Sequence, residues 1–82
     1  MNEFERVREV LVRDWDPLSI GDNPNLADEY DDFIPGVLET IKSSRDASAV
    51  SDYLAEAERQ LGLNPPNEAR YIAARKLIAM GL

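Results

Sequence analysis

The sequence predicts a single all-α domain, a compact antiparallel bundle of four helices. Apolar residues recur at helical spacing in four segments, and no segment shows the apolar–polar alternation that is typical of a half-buried strand. Eighty-two residues suffice for one core, so residues 1–82 are expected to form one domain. Short turns between the helices favour antiparallel neighbours around that core.

The first helix is predicted over residues 2–14. Asn2 is a residue type that caps helices, and an apolar stripe follows it at steps of three and four residues. The stripe consists of Phe4, Val7, Leu11 and Trp15. Residues 15–23 contain Pro17 and Gly21 and are predicted to form a loop.

The second helix is predicted to begin near Pro24 and to continue to Ile41. Its apolar residues fill one arc of a helical wheel, and their phase continues across Pro35. They are Leu26, Ala27, Tyr30, Phe33, Ile34, Val37, Leu38 and Ile41. One helix kinked at Pro35 is therefore expected, because this proline falls on the solvent side, where water can bond the carbonyl that loses its partner.

The third helix is predicted over residues 46–61, with Asp46 as its cap and Gly62 as its end. Its buried face consists of Ala47, Val50, Tyr53, Leu54, Ala57 and Leu61. Leu63 is placed for a Schellman motif after Gly62. Two consecutive prolines then make a rigid corner before the last helix.

The fourth helix is predicted from Pro66 or Asn67 to Met80, with Gly81 as its end. Its apolar residues form two stripes on nearly opposite sides. One stripe is Ala69, Ala73, Leu77 and Met80, and the other is Tyr71, Ala74 and Ile78. A helix that is apolar on two sides either lies centrally in its own bundle or is shared with another chain.

The charges of the chain are distributed unevenly. Sixteen acidic and nine basic residues give a net charge of −7. The acidic segment, residues 14–41, contains eight carboxylates and no Lys or Arg, while the remainder has eight acids against nine bases, so that −8 and +1 add up to −7. Such polarisation indicates a partner without identifying it. The alternative is that Arg70, Arg75 and Lys76 of the last helix meet the acidic segment within the same molecule. The carboxylates are Asp14, Asp16, Asp22, Asp28, Glu29, Asp31, Asp32 and Glu39.

Three carboxylates of the predicted second helix are the main candidates for partner binding. On one continuous helix, Asp28, Asp32 and Glu39 project together on the side opposite the apolar arc. Asp16 and Asp22 are expected at the rim of this face. The helix dipole stabilises acids in a first turn, which explains Asp28 but explains Asp32 and Glu39 poorly. The alternative is a face that is only solvated.

Composition excludes several classes of function. The chain has no Cys and no His, so it lacks thiolate nucleophiles, the commonest general base and the usual ligands of transition metals. Its acidity argues against nucleic-acid binding, which needs clustered Lys and Arg. No apolar run approaches the roughly 18 residues that span a bilayer, and no signal-peptide pattern is present. We expect a cytoplasmic protein that is not an enzyme and uses no cofactor, nucleic acid or membrane.

The loop of residues 15–23 does not fit a calcium-binding template. An EF-hand needs oxygen ligands at positions 1, 3 and 5 of its loop and Gly at position 6. Counted from Asp16, Gly21 falls at position 6, but Leu18 and Ile20 occupy positions 3 and 5. No metal site is predicted, and the loop is kept as a third candidate, a site for a small molecule or an ion.

Two motifs resemble those of a known family. Trp15, Asp16, Pro17 and Gly21 form a W-D-P-x-x-x-G loop, and residues 28–35 read D-E-Y-D-x-aromatic-x-P. In these motifs the chain resembles a group of small bacterial proteins, the YugE-like domains of unknown function. The resemblance covers most of the chain. It implies a compact helical bundle in the bacterial cytoplasm and brings no catalytic residues.

Two functions of different class follow from these observations. The leading hypothesis is a non-catalytic protein-binding module whose acidic face docks a basic protein, a role of the type that bacterial immunity proteins have towards toxins. The alternative is a structural protein that forms homodimers or larger homo-oligomers through its C-terminal helix. Its self-association residues would be Tyr71, Ala74 and Ile78.

Overall fold

The computed structural model describes residues 2–26, 28–63 and 69–81. Every regular element in this part of the chain is helical, which confirms the predicted all-α bundle of four helices. Helix α3 packs against α2 and α4, and α1 contacts the same two helices. The four helices are α1 (Glu3–Val10), α2 (Ile34–Ser44), α3 (Ala47–Gln60) and α4 (Ala69–Ala79). The predicted start of the fourth helix, at Pro66 or Asn67, lies outside the described residues.

The first helix begins and ends close to its predicted bounds. The side chain of Asn2 caps α1 by accepting a 2.8 Å hydrogen bond from the backbone N–H of Glu5. Helix α1 continues into a π-helical turn over Leu11–Trp15 and stops at Asp16, which has a left-handed backbone (φ 34°). The wider π turn buries both Leu11 and Trp15 in the core.

The long second helix with a kink at Pro35 is a wrong prediction. Two short 3₁₀ turns, Pro24–Leu26 and Asp31–Phe33, precede α2, which begins only at Ile34. Pro35 therefore lies in the first helical turn, where its missing N–H has no intrahelical acceptor to lose. The apolar phase misled the prediction because Tyr30 is buried in the core without being part of that helix.

The ends of α3 confirm the predicted caps. The Asp46 side chain accepts a 3.0 Å hydrogen bond from the N–H of Ser48. At the other end, Gly62 has φ +81°, and the N–H of Leu63 donates to the carbonyl of Glu58 over 2.9 Å. With the bond from the N–H of Gly62 to the carbonyl of Arg59, this is the predicted Schellman motif.

The core draws on all four helices, and one face of α4 is buried in it. Ala73 and Leu77 of one predicted stripe are fully buried, and so is Ala74 of the other. Tyr71 and its neighbour Ile72 remain exposed, at 49% and 62% of their surface. None of the helices in the described ranges is both long and apolar enough to cross a membrane.

Candidate functional site

Three of the eight carboxylates in the acidic segment are engaged by the rest of the molecule. Lys76 of α4 places its Nζ 3.2 Å from an oxygen of Asp14. Arg8 of α1 forms a two-pronged pair with Asp31, through contacts of 2.9 and 2.6 Å. Asp16 is held within its own loop. These three carboxylates therefore already have partners within the protein.

Asp16 organises the loop that follows α1 and the π turn. Its carboxylate accepts hydrogen bonds from the backbone N–H groups of Ile20 (2.8 Å) and Gly21 (2.9 Å), and from the hydroxyl of Tyr30 (2.8 Å). A Cβ at position 21 would lie 2.9 Å from an Asp16 oxygen and 3.1 Å from the Val12 carbonyl. Only glycine fits there without a shift. Asp16, predicted as a rim contact for a partner, instead fixes loop 16–21.

Tyr30 ties this loop to the chain that follows it. Its side chain is fully buried, and its hydroxyl donates to Asp16 and accepts a 2.9 Å hydrogen bond from the N–H of Leu18. Burial, reinforced by the neighbouring Asp16 carboxylate, raises the pKa of the Tyr30 phenol well above its usual value. The ring packs against Trp15, with centroids 5.1 Å apart, and Trp15 meets Phe33 edge-on at 6.0 Å.

Arg8 brings part of the acidic segment against α1. The hydrogen bond to Asp31 is the main reason that the pKa of Arg8 is raised, and the charge of Asp28 adds to it. Arg8 also lies over the ring of Phe4, 5.2 Å from its centroid. The carboxylates of Asp28 and Asp31 thus share the field of one guanidinium, although only Asp31 is bonded to it.

Five carboxylates of the segment are exposed, and we call them the acidic surface. Within residues 2–26, 28–63 and 69–81, none of them forms an ion pair with a Lys or Arg side chain. The single helix that would have aligned three of them does not form, so they come from several elements. The five are Asp22, Asp28, Glu29, Asp32 and Glu39.

The three carboxylates predicted as the main partner contacts lie in three different structural elements. Asp28 lies in a turn and Asp32 in the 3₁₀ turn that leads into α2, whereas Glu39 lies within α2 itself. The charge of Glu39 acts on Tyr53 of α3, whose pKa is raised by burial first and by this carboxylate second. Glu39 therefore lies near enough to α3 for its charge to act on Tyr53.

Sequence reasoning missed a buried polar cluster behind the acidic segment. Glu58 of α3 is only 3% exposed. Its carboxylate accepts a 2.8 Å hydrogen bond from the indole N–H of Trp15 and two from the Arg70 guanidinium, at 3.1 and 2.7 Å. One signal was present: Glu58 is spaced four residues after Leu54 and three before Leu61, within the apolar face of α3.

The predicted self-association stripe is divided by the fold. Ala74 is fully buried by its own chain, and Ile78 packs partly against the core. Tyr71 is exposed, as is Ile72, which the helical wheel did not assign to the stripe. In the described ranges, no group of three or more Asp or Glu residues is arranged to hold a metal ion.

Comparisons of the chain with protein-family models, with curated proteins and with solved structures find no match. The resemblance to YugE-like domains stays a prediction. The motif residues that carry it have structural roles in this fold, since they form or brace loop 16–21 and its neighbours. These residues are Trp15, Asp16, Gly21, Tyr30 and Asp31.

Proposed function

We propose that this chain is a non-catalytic protein-binding module that docks a basic protein through the acidic surface. One observation supports the proposal above the others. Six of the nine basic side chains are paired with carboxylates of the residues that the structure describes. Even so, the five carboxylates of the acidic surface lack a basic partner among the described residues. A complementary basic surface would supply one.

The local structure suits such a role because the loop that directly precedes Asp22 of the acidic surface is held in place. Loop 16–21 is held by the Asp16 carboxylate and by Tyr30. A surface that is already ordered loses less conformational freedom on binding. Leu18 of this loop is 36% exposed and offers an apolar side chain to a partner. The excess of acid in this segment favours fast association with a basic partner: such charge raises association rates by about 10–10³, and the gain falls with salt.

The chemical class of the partner is a protein with a basic surface. A toxin whose basic surface is covered by a small acidic immunity protein is one example of this arrangement. That comparison is an analogy of chemistry, and it carries no evidence from fold or sequence.

The test compares two double variants of equal net charge. Asp28→Lys/Asp32→Lys reverses two charges of the acidic surface, and Glu5→Lys/Asp52→Lys reverses two exposed charges outside it. Each substitution adds +2, so both variants change from −7 to −3. Low-salt capture from a lysate of the source organism, read by mass spectrometry, is run with wild type and both variants.

The proposal expects a basic protein that wild type and Glu5→Lys/Asp52→Lys retain and that Asp28→Lys/Asp32→Lys loses. Its affinity, then measured by calorimetry, should fall steeply with added salt. Equal capture by the two variants, or no basic protein at all, would refute docking through this surface. Circular dichroism checks that both variants are folded.

The second candidate is a homo-oligomer that assembles through α4. The observation that favours it is the adjacent exposure of Tyr71 and Ile72. Sedimentation of wild type and Ile72→Asp tests it, because an exposed residue can be changed without unfolding the chain. A wild-type mass above that of one chain that falls to one chain in Ile72→Asp supports the candidate. A monomeric wild type rules it out.

A further inference from the structure

The buried carboxylate of Glu58 joins two parts of the molecule that are distant in sequence. Both carboxylate oxygens accept from Arg70, at the start of α4, and one of them, Oε2, also accepts from the indole N–H of Trp15, at the end of the π turn. The Arg70 side chain is 24% exposed, whereas the Glu58 side chain is 4% exposed. The pair is thus a largely buried ion pair, for which loss of one partner is costly.

Trp15 links Glu58 to loop 16–21. It directly precedes Asp16, and its ring packs on Tyr30, the residue whose hydroxyl bonds both Asp16 and Leu18. Asp16 in turn holds the N–H groups of Ile20 and Gly21. A continuous series of hydrogen bonds and ring contacts therefore runs from α4 to loop 16–21.

We propose that Glu58 is a positioning residue that couples α4 to loop 16–21, so that displacement of Arg70 loosens the loop. The carboxylate fixes the indole, the indole fixes the ring of Tyr30, and the hydroxyl of Tyr30 completes the bonding of Asp16. Without Arg70, the buried Glu58 carboxylate would lose two hydrogen bonds and the neighbouring positive charge, and it would turn towards water in the space that the guanidinium leaves, away from the Trp15 indole. The consequence for docking, a less ordered acidic surface, rests on the proposed function.

The experiment measures hydrogen exchange of the Ile20 and Gly21 amides by NMR, relative to the slowest amides of the chain. Arg70→Gln removes the buried fork. Its matched control is Arg59→Gln, which removes two guanidinium hydrogen bonds to the Glu56 carboxylate on the exposed surface of α3. We expect the relative exchange of the two loop amides to be about tenfold faster in Arg70→Gln, in line with the loss of a hydrogen bond to a charged group. The control should leave it unchanged.

A rescue variant separates coupling from general weakening. In Glu58→Gln/Arg70→Gln the buried negative charge is removed together with the guanidinium, and the Gln carbonyl can still accept from Trp15, so the relative exchange should return towards wild type. If Arg70→Gln does not fold, Arg70→Lys, which keeps the charge and loses the fork, is used with the same readout. Equal acceleration of loop amides and slowest amides would overturn the coupling. None of these measurements needs a partner, so failure of the docking proposal would leave their outcome interpretable.

Discussion

Replacing Tyr30 by Phe removes a single oxygen atom from the centre of the loop network. The side chain is fully buried, and its ring would stay in place against Trp15. What is lost is the hydroxyl that donates to Asp16 over 2.8 Å and accepts from the N–H of Leu18 over 2.9 Å. The substitution leaves no large cavity, so its effect reports the two hydrogen bonds.

The magnitude follows from the kinds of bond. A hydrogen bond to a charged group contributes about 1.5–3 kcal/mol, and a bond between neutral groups about 0.5–1.5 kcal/mol. Tyr30→Phe should therefore lower the free energy of unfolding by about 2–4 kcal/mol. That is a large share of the few kcal/mol that a domain of this size has. The midpoint of thermal unfolding should fall by about 8 °C or more.

The assay is urea unfolding followed by the fluorescence of Trp15, the single tryptophan of the chain. Tyr71→Phe is the matched control, because it removes the same atom from a side chain that is 49% exposed. The control should change stability by less than about 0.5 kcal/mol. If Tyr30→Phe costs no more than the control, the hydroxyl does not hold the loop, and the role assigned to Asp16 is wrong.

Three further outcomes are expected. The folded chain keeps the Tyr30 proton that the unfolded chain releases above pH ~10, so the free energy of unfolding should be constant below that pH and fall as the pH rises. The urea midpoint measures this, and an equal midpoint at pH ~9 and pH ~11 would contradict the raised pKa of this phenol. Gly21→Ala should cost about 1–3 kcal/mol in thermal unfolding, since its Cβ meets an Asp16 oxygen at 2.9 Å; a neutral substitution would refute that close approach. Glu58→Ala should cost about 3 kcal/mol in urea unfolding, against about 0.5 kcal/mol for Glu56→Ala; similar losses would show that the buried pair is not special.

The candidate site was only partly predictable from sequence. The excess of acid in residues 14–41 is a property of composition, and no fold can remove it. Which carboxylates remain at the surface depends on their neighbours in space. Asp31 and Asp16 belong to the same acidic segment as Asp28, yet one is bonded to Arg8 and the other to its own loop. Periodicity carries no information about such partners.

Local physical chemistry, which the sequence alone contains, determined the helical class and most helix ends. Asn2 and Asp46 cap helices through their own side chains, and Gly62 ends α3 because it adopts a positive φ with little strain. Tertiary structure decided the rest. Tyr30 has the phase of a helix, but its buried hydroxyl is bonded to a loop fourteen residues earlier, and α2 starts after it. Glu58 links α3 to α4 because packing excludes water from its carboxylate and brings Arg70 to it. Its place in the apolar face of α3 signals burial, but no periodicity identifies the partner twelve residues further along the chain.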